Sequence, residues 1–204
     1  FDHQIYQRYF NYRKKIMKLK PEYKPLRPYF SSGPCSKRPG WKIENLSEAI
    51  VSRSHRSKTA LKKINEVIIL TKEILQIPED FYVGVVPASD TGAIEMLMWS
   101  LLGKKKVEVL AWESFGADWV KDITNQLKLF NSKITKADYG KLVDLESVNF
   151  KNDIVFTWNG TTSGVCVPNG NWIDDNREGL TICDATSAAF SMRLPWNNLD
   201  ATSI

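Results

Sequence analysis

Apolar and polar positions alternate with helix-like and strand-like periods over most of the chain after residue 56. Leu61, Ile64, Ile68 and Leu75 fall on one face of a helix, and Ser57 is suited to cap its first turn. Short apolar runs then alternate with longer amphipathic stretches. We predict helices at residues 57–75, 92–102 and 116–129, and strands at residues 81–86, 107–111, 134–137, 154–157 and 180–183.

Strands that alternate with helices predict an α/β fold, in which a mostly parallel sheet has helices on both faces. The 204 residues, 43% of them hydrophobic, suffice for the core of one domain or most of one. We divide the chain into a basic aromatic leader with a proline connector (residues 1–28) and a domain (residues 29–204).

Charge and cysteine content narrow the classes of protein. The net charge is +5, and basic and aromatic residues interleave in the leader. A solvated leader is the simpler interpretation, and stacking on single-stranded nucleic acid is the alternative. Three widely spaced cysteines without a CxxC pair indicate reduced thiols, with no zinc site and no disulfide framework. Because no apolar run has transmembrane length and no signal-peptide pattern occurs, we expect a cytoplasmic protein without a membrane segment.

The strongest chemical signal is Asp184, a single carboxylate that follows a buried strand and precedes small and hydroxyl-bearing residues. Open α/β sheets bind ligands at the carboxyl ends of their strands. Pyridoxal phosphate is one cofactor that requires an anion against its pyridinium nitrogen. The sequence therefore makes Asp184 a candidate cofactor ligand.

Other strand ends carry further polar segments. Residues 89–93 join a strand to a helix, where backbone N–H groups suit a phosphate, although Asp90 could instead only cap the helix. Residues 158–164 form either a polar site or an ordinary turn.

Three single residues also have two interpretations each. Phe115 could cover a planar ring or belong to the core. His55 and Arg56 could bind an anion or be solvated. GxGxxG and GxxxxGK[ST] are absent, so no dinucleotide or P-loop site is indicated.

Five segments in this order resemble motifs of the phosphoserine aminotransferase family, which belongs to the fold-type I pyridoxal phosphate enzymes. The segments are residues 30–41, 54–56, 87–92, 158–164 and 184–189. The resemblance runs from about Pro28 to the last residue. It implies the large cofactor-binding domain of that fold, a homodimer, and transfer of an amino group between glutamate and 3-phosphohydroxypyruvate in serine biosynthesis.

The resemblance also implies roles for individual residues. Asp184 would pair with the pyridinium nitrogen, and Phe115 would stack on the ring. The remaining cofactor contacts would come from Ser89, Asp90, Thr91 and Gly92 at the phosphate, Thr161 at the ring substituents and Ser187 on the phosphate side. Ser32, His55 and Arg56 would meet the anionic substrate.

The sequence departs from the family in two places. Many members carry Gly-Arg where this chain has Asp90-Thr91, so one cationic contact to the substrate is missing. The family's lysine that holds the cofactor covalently is absent, because no lysine follows Asp184. We therefore expect a partial large domain, truncated before that lysine and the small domain, that does not transaminate by itself. The alternatives are another fold-type I enzyme (an alanine-type aminotransferase or a cysteine desulfurase) and a non-catalytic binding protein.

Overall fold

The computed structural model describes residues 37–204, together with residues 23 and 26. Most of the predicted leader, and Ser32 with the first part of its motif (residues 30–36), lie outside the described residues. The chain divides into two units between Val51 and Ser52. In the first unit, Ile43–Leu46 form a 3-10 helix. The predicted boundary after residue 28 stays a prediction.

In the second unit, the helices begin close to where the sequence predicts them. They are α1 (Lys58–Leu75), α2 (Asp90–Leu101) and α3 (Ser114–Lys121), which continues as a π-helical turn at Asp122–Gln126. Ser57 caps α1 as predicted, since its Oγ accepts a hydrogen bond from the Ala60 N–H at 3.2 Å. Across the described residues, none of the helices combines the length and apolar character that a membrane crossing requires.

The strands form one parallel sheet in the order β2-β1-β3-β4-β5. They are β1 (Val107–Ala111), β2 (Lys133–Lys136), β3 (Asp153–Thr157), β4 (Thr181–Asp184) and β5 (Ala201–Ser203). The central strands β1, β3 and β4 are buried along their whole length. Burial on both faces explains why these strands are nearly continuous apolar runs, and the α/β prediction is confirmed.

The predicted strand at residues 81–86 is wrong. Its first residue closes a turn, in which the Phe81 N–H donates to the Pro78 carbonyl at 3.1 Å. Tyr82 and Val85 are exposed, and no strand of the described part pairs with this segment. Apolar residues alone predicted a strand here, although the segment has no strand partner to fix an extended pairing.

The two faces of the sheet are covered by different elements. On the first face, α2, α3 and the π-helical turn pack through Ile94, Met98, Trp119 and Ile123. The second face is covered by loops, by 3-10 helices at Leu145–Ser147 and Trp196–Asn198, and by the end of α1. There the Trp196 Nε1–H donates to the Leu75 carbonyl at 2.8 Å. Helical segments therefore lie on both faces, as predicted, although α1 itself has no buried residue.

Candidate cofactor site

The candidate residues converge because the strands are parallel. β3 ends at Thr157 and β4 ends at Asp184, and these two residues are paired neighbours in the sheet. On the other side of Asp184, its neighbour is Ser203, the last residue of β5. The loops that follow β1, β3 and β4 consequently leave the same edge of the sheet, which we call the carboxyl edge.

Asp184 is 8% exposed and faces α3. Its Oδ2 accepts a hydrogen bond from the Trp119 Nε1–H at 3.1 Å, and its Oδ1 accepts one from the Thr186 N–H at 3.2 Å. Burial, with the carboxylate of Asp90 as a second cause, raises the pKa of Asp184 to about 6. The two hydrogen bonds favour the charged form but do not outweigh burial. A positively charged ligand would therefore stabilise the ionised form of Asp184.

Glu113 organises the loop between β1 and α3. It is buried, and its Oε1 accepts a hydrogen bond from the Gly116 N–H at 2.7 Å, which caps the helix. A side chain at Gly116 would meet the backbone, because its Cβ would lie 3.2 Å from the Ala111 Cα. Phe115 lies in this first turn and is 40% exposed. The alternative that Phe115 belongs to the core is therefore wrong, and its role as a ring cover stays a prediction.

The turn after β3 is tied to the start of α3. The Thr162 hydroxyl group donates a hydrogen bond to the Glu113 Oε2 at 3.2 Å, and its oxygen accepts one from the Ser114 Oγ–H at 3.3 Å. The turn closes when the Gly164 N–H donates to the Gly160 carbonyl at 2.7 Å, with Gly164 at a φ of +73°. Only residues that tolerate a left-handed backbone fit there without strain.

Thr161 and Ser187 meet at the carboxyl edge. Thr161 follows β3 and Ser187 follows β4, and a hydrogen bond joins their two hydroxyl groups. Thr161 is exposed and Ser187 is half-buried. The structure therefore brings together two residues that the sequence proposed separately for the cofactor.

The segment from Ser89 to Gly92 begins α2. Ser89 is the N-cap residue, and its side chain makes no capping hydrogen bond. Asp90 is the first helical residue rather than the cap, and its Oδ1 is buried without a hydrogen-bond partner in the described part of the chain. Ser89 and Thr91 are exposed. The helix N-terminus is thus open to an anion, and the charge of the Asp90 carboxylate contributes to the raised pKa of Asp184.

His55 and Arg56 lie in a short turn before α1, where both are exposed. The Arg56 N–H donates to the Ser54 Oγ at 3.1 Å. Within residues 52–204, no hydrogen bond brings either side chain to the carboxyl edge. Their contact with an anionic substrate stays a prediction.

The sequence pattern assigns no site role to three residues around Asp184, namely Trp119, Thr157 and Ser203. Trp119 lies one helical turn after Phe115, a spacing that could have indicated a shared helix face. Thr157 is a polar residue that ends an apolar strand, which is a weak signal. Ser203 gave no signal, because only the pairing of β5 with β4 places it beside Asp184.

Comparison with known proteins gives close relatives. Phosphoserine aminotransferase of Methanosarcina mazei is 59% identical over 182 residues, which cover 89% of this chain and 49% of the relative. The enzyme of the same name from Methanosarcina barkeri is 57% identical with the same coverage. The chain thus spans about half the length of these curated relatives. No protein-family profile matches the chain.

Solved structures share the fold. An alanine–glyoxylate aminotransferase from Nostoc sp. matches with a TM-score of 0.62 and 14% identity, over 75% of this chain and 43% of that one. A phosphoserine aminotransferase whose structure concerns radiation damage of its Schiff base matches with a TM-score of 0.60 and 21% identity, over 72% and 42%. At such identities the structures establish only the fold-type I architecture. The 57–59% identity to the Methanosarcina proteins shows that this chain belongs to the phosphoserine aminotransferase family.

Proposed function

We propose that this chain is part of an aminotransferase that moves an amino group between glutamate and 3-phosphohydroxypyruvate, in serine biosynthesis, with pyridoxal phosphate as cofactor. The names and 57–59% identity of the Methanosarcina relatives support the substrates. The observation that carries the proposal is the position of Asp184, a buried carboxylate at the edge where parallel strands end. A phosphoserine aminotransferase from Trichomonas vaginalis with the same fold is described as bound to pyridoxal phosphate.

The described residues fit this cofactor chemically. Asp184 would hold the protonated ring nitrogen, Phe115 would cover the ring and Thr161 would contact its substituents. Backbone N–H groups at the start of α2, with the hydroxyls of Ser89 and Thr91, would donate to the phosphate. When bound, pyridoxal phosphate supplies an electron sink for charge that develops on the substrate carbon.

Asp90 fits the phosphate less well than its neighbours. A carboxylate only accepts hydrogen bonds when ionised, so it cannot donate to a phosphate. We propose that the backbone of Asp90, with Thr91, Gly92 and the nearby Ser187, borders the phosphate, while the carboxylate faces Asp184. The substrate's anionic groups would meet Ser32, His55 and Arg56, because a guanidinium suits carboxylate and phosphate oxygens.

We further propose that the full-length protein is a cytoplasmic homodimer. Apolar surface supports the homodimer, because large apolar residues of α1 and α2 are exposed. They include Leu61, Val67, Ile69, Ile74, Met96 and Trp99. Exposed apolar helix surface of this kind is typical of protein interfaces. A lysine is absent after Asp184 in the 204 residues, and we expect this chain alone not to transaminate.

The cofactor proposal can be tested with pyridoxamine 5′-phosphate, which lacks the aldehyde that would react with surface lysines. Equilibrium dialysis at pH 7.5 would measure its affinity for the chain. We expect Asp184→Asn to weaken binding about tenfold, because a charged hydrogen bond to the ring nitrogen is lost. Asp118→Asn is the control, since Asp118 is an exposed carboxylate on α3 that pairs with Lys121 at 2.6 Å. Equal affinities for Asp184→Asn and the unaltered chain would overturn the assignment.

The substrates are tested separately, in a chain extended to the length of the curated relatives. Glutamate should act as the amino donor to 3-phosphohydroxypyruvate. Alanine or cysteine as the preferred donor would instead favour the alanine-type aminotransferase or the cysteine desulfurase. Turnover by the 204-residue chain itself would contradict our expectation that it is inactive.

A further inference from the structure

Three consecutive residues after β1 hold the turn that follows β3. The Trp112 Nε1–H donates a hydrogen bond to the Val165 carbonyl at 3.1 Å. Glu113 Oε2 accepts one from the Thr162 hydroxyl group at 3.2 Å, and the Ser114 Oγ–H donates to the Thr162 Oγ1 at 3.3 Å. Because β1 and β3 are paired neighbours, the loops that follow them start side by side. The two loops therefore form one hydrogen-bonded unit at the carboxyl edge.

The first oxygen of the Glu113 carboxylate fixes the turn that contains Phe115. Oε1 accepts a hydrogen bond from the Gly116 N–H at 2.7 Å, and Phe115 directly precedes Gly116 in this turn. The usual helix caps are the shorter side chains of serine, threonine, aspartate and asparagine. Capping of α3 alone therefore does not explain why a glutamate stands at this position.

The second oxygen and the stem of Glu113 contact both sides of Thr161. Oε2 accepts the hydrogen bond from Thr162, which follows Thr161. The Glu113 Cγ lies against Gly160, which precedes Thr161, since a Cβ built at Gly160 would be 2.5 Å from it. One side chain thus bounds the backbone on both sides of Thr161 while it also closes the turn of Phe115.

The carboxylate of Glu113 is kept buried at a cost to stability. Glu113 is 6% exposed, and its two hydrogen-bond donors are a backbone N–H and a hydroxyl group. Among the residues that the structure describes, no lysine, arginine or histidine forms an ion pair with it. Burial of a carboxylate without a positive partner is unfavourable. The stability of the fold alone therefore does not account for Glu113.

We propose that Glu113 is a positioning residue for the cofactor, whose one carboxylate holds Phe115 and Thr161 at a fixed separation. The role rests on the proposed function, in which Phe115 covers the ring and Thr161 contacts its substituents. Glu113 acts through these two residues, so that the ring cover and the substituent contact are in place before the cofactor binds. Such preorganisation lowers the cost of binding.

Equilibrium dialysis of the 204-residue chain with pyridoxamine 5′-phosphate at pH 7.5 tests this role. Glu113→Met removes both acceptor oxygens and keeps an unbranched stem over Gly160. We expect it to weaken binding about tenfold, because a small displacement of positioned groups is costly. Glu113→Gln should retain the affinity to within about twofold, since its amide oxygen can accept from the Gly116 N–H and its amide N–H can donate to the Thr162 hydroxyl.

Asp144→Met is the matched control. Asp144 is also a carboxylate that caps a short helix, the 3-10 helix on the second face of the sheet, where it accepts from the Glu146 N–H at 3.1 Å. Its loss should leave the affinity unchanged. Urea denaturation gives the folded fraction of each variant, and the measured affinity is corrected for that fraction, so that unfolding is not counted as a loss of binding.

A double-mutant cycle separates positioning from a general loss of structure. In a chain with Phe115→Leu and Thr161→Val, Glu113 has no ring contact left to position. The effect of Glu113→Met on the affinity should therefore shrink from about tenfold to below about twofold in that chain. An effect that stays the same there would overturn the positioning role.

Asp184→Asn in the same dialysis reports on the proposed function itself. If Asp184→Asn weakens binding and Glu113→Met does not, the positioning role is overturned and the cofactor proposal stands. If neither substitution weakens binding, the cofactor proposal fails as well. The expected result is a loss for Glu113→Met that is absent in Glu113→Gln and that largely disappears when Phe115 and Thr161 are substituted.

Discussion

Two aspartates at opposite edges of the sheet have contrasting surroundings. Asp200 lies just before β5 and accepts hydrogen bonds from the Arg177 Nε–H at 3.1 Å and Nη2–H at 3.0 Å, and from the Thr181 N–H at 2.7 Å and Oγ1–H at 2.9 Å. Burial raises the pKa of Asp200, but these donors outweigh it and hold the pKa below its ordinary value. At the other edge, Asp184 has only two neutral donors, and burial, with the charge of Asp90 as a second cause, raises its pKa to about 6.

The different surroundings of the two carboxylates indicate that Asp200 serves the stability of the fold and that Asp184 serves ligand binding. The four hydrogen bonds at Asp200 hold β5 against β4 at the amino edge of the sheet, where no candidate ligand residue lies. At the carboxyl edge, the carboxylate of Asp184 is kept buried with too few donors, a state that costs stability and that binding sites commonly maintain. The amino edge of the sheet thus contributes to stability, whereas the carboxyl edge has the properties of a ligand-binding site.

The largest expected effect is at the stable edge. Asp200→Ala should lower the free energy of unfolding by about 3 kcal/mol, because it removes a charged acceptor and leaves the buried Thr181 N–H unpaired. Urea denaturation at pH 7 would measure the loss. Arg177→Lys is the graded control: it keeps the charge but loses the two-pronged contact, and should cost about 1 kcal/mol. A negligible loss for Asp200→Ala would mean that this edge is not the stable one.

Asp184→Asn should change the free energy of unfolding in the opposite direction to Asp200→Ala. Because the pKa of Asp184 in the folded chain lies above its ordinary value of 3.8, folding favours the protonated form. The stability that this provides is fully present below about pH 4 and is lost as the pH rises through about 6. Asn removes that dependence and should raise the free energy of unfolding at pH 8 by about 2 kcal/mol.

Urea denaturation of both chains at pH 4, 6 and 8 measures the effect of Asp184→Asn. The free energy of unfolding of the unaltered chain should fall between pH 4 and pH 6 relative to that of the variant. A variant that is less stable than the unaltered chain at pH 8 would contradict the idea that this carboxylate is held at a cost. It would also remove the contrast with Asp200.

The sequence predicts the parts of the molecule that depend on local pattern. The buried strands β1, β3 and β4 are apolar runs, and Asp184 is conspicuous as a carboxylate after such a run. β5 escaped prediction because its three residues, Ala-Thr-Ser, have no apolar period. Residues 81–86 were predicted wrongly because apolar content does not supply a pairing partner.

The residues around Asp184 show a second limit. Thr157 and Ser203 are neighbours of Asp184 only through strand pairing, which brings together positions far apart in the chain. The sequence suggests Asp90 as a helix cap or a phosphate neighbour, whereas the structure makes it the first helical residue, and its charge contributes to the raised pKa of Asp184. Tertiary register, rather than local propensity, decides these contacts.

A last prediction separates packing from charge at the carboxyl edge. A Cβ at Gly160 would lie 2.5 Å from the Glu113 Cγ and 3.1 Å from the Trp112 Cδ1, so Gly160→Ala should cost about 1.5 kcal/mol through overpacking. It should also weaken pyridoxamine 5′-phosphate binding, because Thr161 would shift with the turn. Gly84→Ala is the matched control, since a Cβ there meets nothing within 4 Å.

If Gly160→Ala lowers stability and Gly84→Ala does not, the carboxyl edge is tightly packed, and the lack of an ion pair at Asp184 among the described residues reflects a missing positive partner rather than loose structure. Tight packing would then hold the carboxylate in place before any ligand arrives, which lowers the cost of binding. If urea denaturation shows no loss for Gly160→Ala, the turn after β3 can move. The raised pKa of Asp184 would then no longer mark a preformed site, and the contrast with Asp200 would be one of rigidity as well as charge.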